Sequence, residues 1–135
     1  MKNNEKDPRD WLRRAESLLN RIKETRRSRK IINEHFCVDA QQISELSIKG
    51  VLSHLSIPFQ RTHSINVLCD LLEKNGYKIP PVVRESEVLS VYITTRYPGD
   101  YDEITKEEKK EAIRIAKKVF KWAEKIISEE KKLFK

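Results

Sequence analysis

The stretch FCVDAQQISELSIKGVLSHL, running from Phe36 to Leu55, decides how the rest of the chain folds. Cys37, Ala40, Ser44, Ser47, Ile48, Val51, Leu52 and Leu55 recur at steps of three and four, and Ile43, Leu46 and Gly50 widen that face with residues that pack closely. This pattern predicts a central helix enclosed on most sides. One narrow stripe is strongly polar: Asp39, Gln42, Glu45 and Lys49, with Glu45 four residues before Lys49 in the favourable orientation for a helical ion pair. The stripe reads either as a solvated edge or as the lining of a cleft or subunit interface.

Working outward, Asp7 can cap a first helix, Pro8 suits its first position, and Trp11, Leu12, Ala15, Leu18, Leu19 and Ile22 form its apolar face. That helix is expected to run from about Pro8 into the late twenties. Asn33 is a candidate N-cap for the central helix, and Ser56-Ile57-Pro58 closes it, because a residue before proline resists helical geometry. A third, shorter helix follows Thr62 or Ser64 and ends at Gly76, with Ile65, Leu68, Leu71 and Leu72 facing inward. Pro81 opens a fourth helix through Val83, Val88, Leu89 and Tyr92. The run Val88 to Thr95 would pass for a strand on composition, but a lone strand cannot satisfy its backbone in an otherwise helical chain. Thr105-Lys106-Glu107-Glu108 fits a capping box, and Ala112, Ile115, Ala116, Val119, Ala123, Ile126 and Ile127 mark one face of a long last helix from Lys106 to Phe134. The expected fold is all-α, an up-and-down bundle of five helices with a long C-terminal helix. Residues 1–135 are read as a single domain, with 1–6 a flexible N-terminus.

The 135 residues carry a net charge of +7, and most of it lies at one end. Residues 1–30 hold 11 Lys or Arg against 5 Asp or Glu, whereas the remainder is close to balance. Arg21, Lys23, Arg26, Arg27, Arg29 and Lys30 crowd ten residues in which Glu24 is the sole acid. Such a cluster attracts phosphates and is a candidate nucleic-acid-binding surface; the alternative is a solvated helix end whose cations favour the macrodipole. No apolar run approaches the length of a membrane span, and residues 1–10 are too polar for a signal peptide, so a cytoplasmic protein is expected. Cys37 and Cys69 stand in apolar helical contexts and read as small hydrophobes.

Phosphate-binding glycine loops, zinc-spaced Cys/His sets, HExxH and nucleophile motifs are all lacking, which removes the usual signatures of most enzyme classes. No metal or cofactor is expected. His35, His54 and His63 are too dispersed to form a site. Polar groups do concentrate at Arg96, Tyr97, Asp100, Tyr101 and Asp102. There an arginine can grip a phosphate bidentately and a tyrosine can stack on a base.

The order of Cys37, Ala40-Gln41-Gln42, Glu45 and Lys49, then Thr62-His63-Ser64-Ile65 and Leu71-Leu72, then Arg96-Tyr97-Pro98 before a long helix resembles the HEPN family, the higher eukaryote and prokaryote nucleotide-binding domain. The resemblance covers nearly the whole chain. It implies a homodimer and a nucleotide- or phosphate-binding role for Arg96, Tyr97 and Tyr101, and, since the family repeats a histidine at this helix start, a structural hydrogen bond for His63; Gln42, Glu45, Lys49 and His63 are the candidate cleft or interface residues. Family members also pair with minimal nucleotidyltransferases in toxin-antitoxin modules, and many are metal-independent ribonucleases with an Arg-x4-6-His motif. In this chain Tyr101 stands where that histidine is expected. A phenol of ordinary pKa, about 10, is a poor general base near neutrality. The favoured expectation is therefore a dimeric binding and interaction protein for nucleotide, RNA or DNA; the alternative is an endoribonuclease toxin with an atypical site.

Overall fold

A computed structural model describes residues 7–93 and 103–133, with side chains through residue 128. Arg96, Tyr97 and Tyr101 lie outside the described residues. The elements are α1 (Pro8–Thr25), α2 (Asn33–His54), α3 (Ile65–Lys74), α4 (Pro81–Glu85), a 3-10 helix η1 (Ser86–Ile93) and α5 (Lys106–Leu133). All are helical, and α5 is the longest at 28 residues, about 42 Å at the usual rise.

The enclosure expected for α2 is present. Phe36, Cys37, Ala40, Ile43, Ile48, Val51 and Leu52 are buried, and α2 packs along both α1 and α5, with α3 and η1 completing the surround. Contacts at the two ends give the directions. Asn33 at the start of α2 bonds the carbonyl of Ile104 just before α5, while the Lys109 ammonium near the start of α5 meets the carbonyl of Arg26 at the end of α1. At the other end, a Cβ placed on Gly50 would meet Trp11 Cβ at 3.3 Å, Ile127 Cδ1 at 3.5 Å and Pro8 O at 3.5 Å. So α1 runs antiparallel to α2 and α5, and the short elements α3, α4 and η1 carry the chain back between α2 and α5. A side chain at residue 50 would press on Trp11, so glycine eases the close approach of the three long helices there.

Caps explain most boundaries. The Asp7 carboxylate accepts from the Arg9 amide, Ser64 Oγ accepts from the Val67 amide, and Thr105 Oγ1 accepts from the Glu108 amide while the Glu108 carboxylate accepts from the Thr105 amide. Asn33 is not a cap. It is the first residue of α2, Ile32 precedes it in extended conformation with no side-chain cap, and the Asn33 amide is spent on Ile104 instead. The α2 terminus closes with Ser56 at φ +58, the Ile57 amide donating to Leu52 O and the Ser56 amide to Ser53 O, the two bonds of a Schellman turn.

The fourth helical segment differs in form from the expectation. It leaves α-geometry at Glu85 and continues as a 3-10 helix. Its buried residues explain why. Val83, Ser86 and Leu89 recur every three residues, the period of a 3-10 ridge, and Ser86 Oγ donates to Val83 O at 2.6 Å. Burial at every third residue selects the tighter helix over the strand that the β-branched composition suggests.

Candidate functional site

The end of the bundle where α1 stops and both α2 and α5 begin opens into a cleft of about 850 Å³. Three pieces of chain build it: the α1–α2 connection, the first turn of α2, and the start of α5. Arg26, Arg27 and Arg29 come from one wall and Lys106, Lys109 and Lys110 from the other, with Ile31 and Ile32 between them. Glu34 and Glu103 are the acids of the lining. Among the described residues, six cations face two carboxylates.

Local bonding holds this shape. Arg26 caps α1 with its amide on Ile22 O, Thr25 Oγ1 donates back to Arg21 O, and Ser28 Oγ accepts from the Lys30 amide. Lys109 is a structural cation: its ammonium bonds Arg26 O at 2.6 Å and lies 3.9 Å above the Phe36 ring centroid. Burial pushes its pKa down, and the neighbouring Arg26 and Lys106 charges push it further. The other five cations form no ion pair with a described residue.

The basic run of the sequence is thus divided by the fold. Arg26, Arg27 and Arg29 enter the cleft, and Lys23 lies near Lys117 on α5. Arg21 points to the other side of α1, where a two-bond pair with Asp39 at 2.7 and 3.2 Å ties α1 to α2. Lys30 is exposed and lies outside the cleft lining. Lys106, Lys109 and Lys110 were missed by the sequence reading, although a signal existed. Three lysines within the first five residues of a helix oppose its macrodipole, so helix stability does not explain them.

The polar stripe of α2 also divides. Gln42 is exposed and Asp39 holds Arg21, but Glu45 and Lys49 are interior, with side chains 7% and 6% exposed. Glu45 is a hub: it accepts from Lys49 Nζ at 2.8 Å, from the amide of buried Gln41 at 3.2 Å, and faces His63 Nδ1 at 3.2 Å. Lys49 also lies 5.7 Å from the Trp11 ring centroid. Gln41 donates in addition to His63 O at 3.4 Å, which fixes the loop that enters α3. The His63 side chain is 77% exposed and covers this group from outside. Glu45 and Lys49 therefore do not form a solvated edge; each meets the other's charge inside the bundle.

Comparison with known proteins agrees with the geometry. The family model for the HEPN domain matches residues 8–126. The crystal structure of an archaeal HEPN homologue superposes with a TM-score of 0.68 at 27% identity, covering 90% of this chain and 98% of that one. A search of curated proteins gives no match. The matched span takes in all the helices that build the cleft and the enclosed α2, and on this ground the chain belongs to the HEPN family.

Proposed function

We propose that the chain is a HEPN-domain binding and interaction protein that engages the phosphate groups of a nucleotide or nucleic acid in the cationic cleft. The observation that carries this reading is the crowding of Arg26, Arg27, Arg29, Lys106 and Lys110 around one concavity with no ion pair to a described residue. Like charges repel when crowded and are disfavoured unless an anion meets them; a phosphate with several acceptor oxygens suits arginine forks and lysine heads together. In this reading the protein is a homodimer and is partnered by a minimal nucleotidyltransferase in a toxin-antitoxin module. Arg96 and Tyr97 are additional phosphate or base contacts.

Binding of fluorescent nucleotides and short RNA, measured by anisotropy, tests it. The expected result is binding that weakens steeply with salt and falls at least tenfold in the folded double variant Arg27→Gln/Lys110→Gln. Equal binding by the variant sinks the cleft as the site. Light scattering at near-physiological salt should give twice the 16.0 kDa chain mass; a monomer mass removes the dimer.

The same reading predicts little metal-independent ribonuclease activity, since Tyr101 occupies the place of the family histidine. General acid-base assistance is typically worth about a hundred- to ten-thousand-fold in rate. RNA cleavage in chelator by the native chain, Arg96→Ala and Tyr101→His decides the matter. Robust native cleavage lost in Arg96→Ala establishes the endoribonuclease alternative, whereas cleavage gained only in Tyr101→His supports the binding protein.

A further inference from the structure

The positive charge does not stop at the mouth of the cleft. Lys106, Lys110, Lys117 and Lys121 follow one another on α5 at steps of four, seven and four, which places them within about 60° of arc on one helix face. Lys117 is half-buried, and Lys110 and Lys121 are exposed. From α1, Lys23 and Arg26 face this stripe: burial lowers the pKa of Lys117, and the charges of Arg26, Lys23 and Lys121 lower it further, so the four groups share one field. None of Lys23, Lys117 and Lys121 forms an ion pair with a described residue. Of the acids on α5, Glu111 is held by Arg114 and Glu108 is engaged by Thr105 and Tyr92, while Glu124 falls on the same arc three residues beyond Lys121 and bounds the stripe at its far end.

Resting on the reading of the cleft as a phosphate site, we infer that its ligand is a single strand of nucleic acid, whose backbone leaves the cleft and follows the α1–α5 seam past Lys117 to Lys121. Length is the first reason. Lys106 to Lys121 spans about 22 Å at about 1.5 Å per residue, and a stacked strand places a phosphate about every 3.4 Å. A free nucleotide fills only the cleft end of such a track and leaves Lys23, Lys117 and Lys121 without an anion. Curvature is the second reason, because the cations of the cleft and those of the α1–α5 seam lie on a continuous path that turns from the helix ends onto the helix sides, which a flexible strand can follow. The exposed Ile32 beside the arginines offers an apolar surface to a base face as the strand enters.

The experiment compares three probes, a nucleoside triphosphate, a 4-nucleotide RNA and a 12-nucleotide RNA, on the native full-length chain and on Lys117→Gln/Lys121→Gln, with circular dichroism confirming that the variant is folded. The 12-mer is expected to bind the native chain at least tenfold more tightly than the 4-mer. In the variant the 12-mer should weaken at least fivefold and its log-log salt slope should fall by about 1.4, two phosphates at about 0.7 each for single strands, while the triphosphate binds unchanged. If the 12-mer and 4-mer bind alike, or the variant keeps both affinity and slope for the 12-mer, the seam is not a track and the inference fails while the cleft survives. If no probe binds the native chain, the cleft reading fails and the track falls with it.

Discussion

Two groups of charges lie at different places on the same helices and are treated in opposite ways. At the middle of α2, Glu45 and Lys49 are enclosed and every strong donor or acceptor meets a counterpart: Lys49, Gln41 and His63 converge on one carboxylate. At the mouth of the bundle, Arg26, Arg27, Arg29, Lys106 and Lys110 are crowded together, solvent-facing, and without acidic partners among the described residues. Desolvation explains the difference. A charge taken from water must be paired at once or the fold is lost, whereas a hydrated cation tolerates like neighbours at small cost until an anion arrives. The paired group is therefore a structural device and the unpaired group is the one to examine for binding.

The largest expected effect comes from unpairing the interior. Lys49→Met keeps the packing volume and leaves the Glu45 carboxylate enclosed with too few donors; urea unfolding should show a loss of about 3–5 kcal/mol. Glu45→Leu/Lys49→Met removes both charges and should recover most of that loss. A single variant that unfolds at the native midpoint would show that the pair is not enclosed in solution.

Alkali separates the buried thiols from the crowded lysines by sign. Burial raises the Cys37 and Cys69 thiols from 9.0 to about 11. The unfolded chain then loses these protons first, so their contribution to stability is complete below pH 9 and disappears as the pH climbs toward 11. Lys109 and Lys117 are lowered, so the folded chain loses their protons first and gains stability as the pH rises toward 10.5. Urea midpoints between pH 8 and 10.5 should fall in the native chain and fall less in Cys37→Ala/Cys69→Ala. An identical decline in both proteins would mean that the thiols titrate normally.

A smaller loss is expected for His63→Ala. Its ring touches the Glu45 carboxylate but is mostly in water, and exposed ion pairs are typically worth about 0.2–1 kcal/mol. A loss as large as that of Lys49→Met would place His63 among the enclosed residues and contradict the observed exposure.

The smallest effect on stability should come from the cleft. Arg27→Gln/Lys110→Gln is expected to unfold within about 0.5 kcal/mol of the native chain and to reduce the rise in thermal midpoint that added salt gives by screening the cations. A clear destabilisation would reveal a structural role for these side chains and blur the contrast with Glu45 and Lys49.

Much of the bundle was legible from short-range pattern. The apolar faces of α1, α2 and α5, the Asp7, Ser64 and Thr105 caps, and the enclosure of α2 all follow from spacing and local bonding, which act within a few residues. The same reasoning failed where two elements compete for one group: Asn33 has the chemistry of an N-cap, yet its amide bonds Ile104, a partner 71 positions away. It also missed the 3-10 form of Ser86–Ile93, because the burial period that selects it depends on what packs above Val83 and Leu89.

For the candidate site the division is similar. Composition alone located a basic segment between Arg21 and Lys30 and an acid-base pair at Glu45 and Lys49. Sequence could not say which of those cations meet an acid and which are brought together. The tertiary structure decided it, by turning Arg21 toward Asp39, burying Glu45 with Lys49, and bringing the start of α5 against the end of α1 so that Lys106 and Lys110 join Arg26, Arg27 and Arg29. The physical reason is range. Helix formation is set by neighbours three and four residues apart, whereas the field at a cleft is the sum of charges carried there by segments some eighty residues distant along the chain.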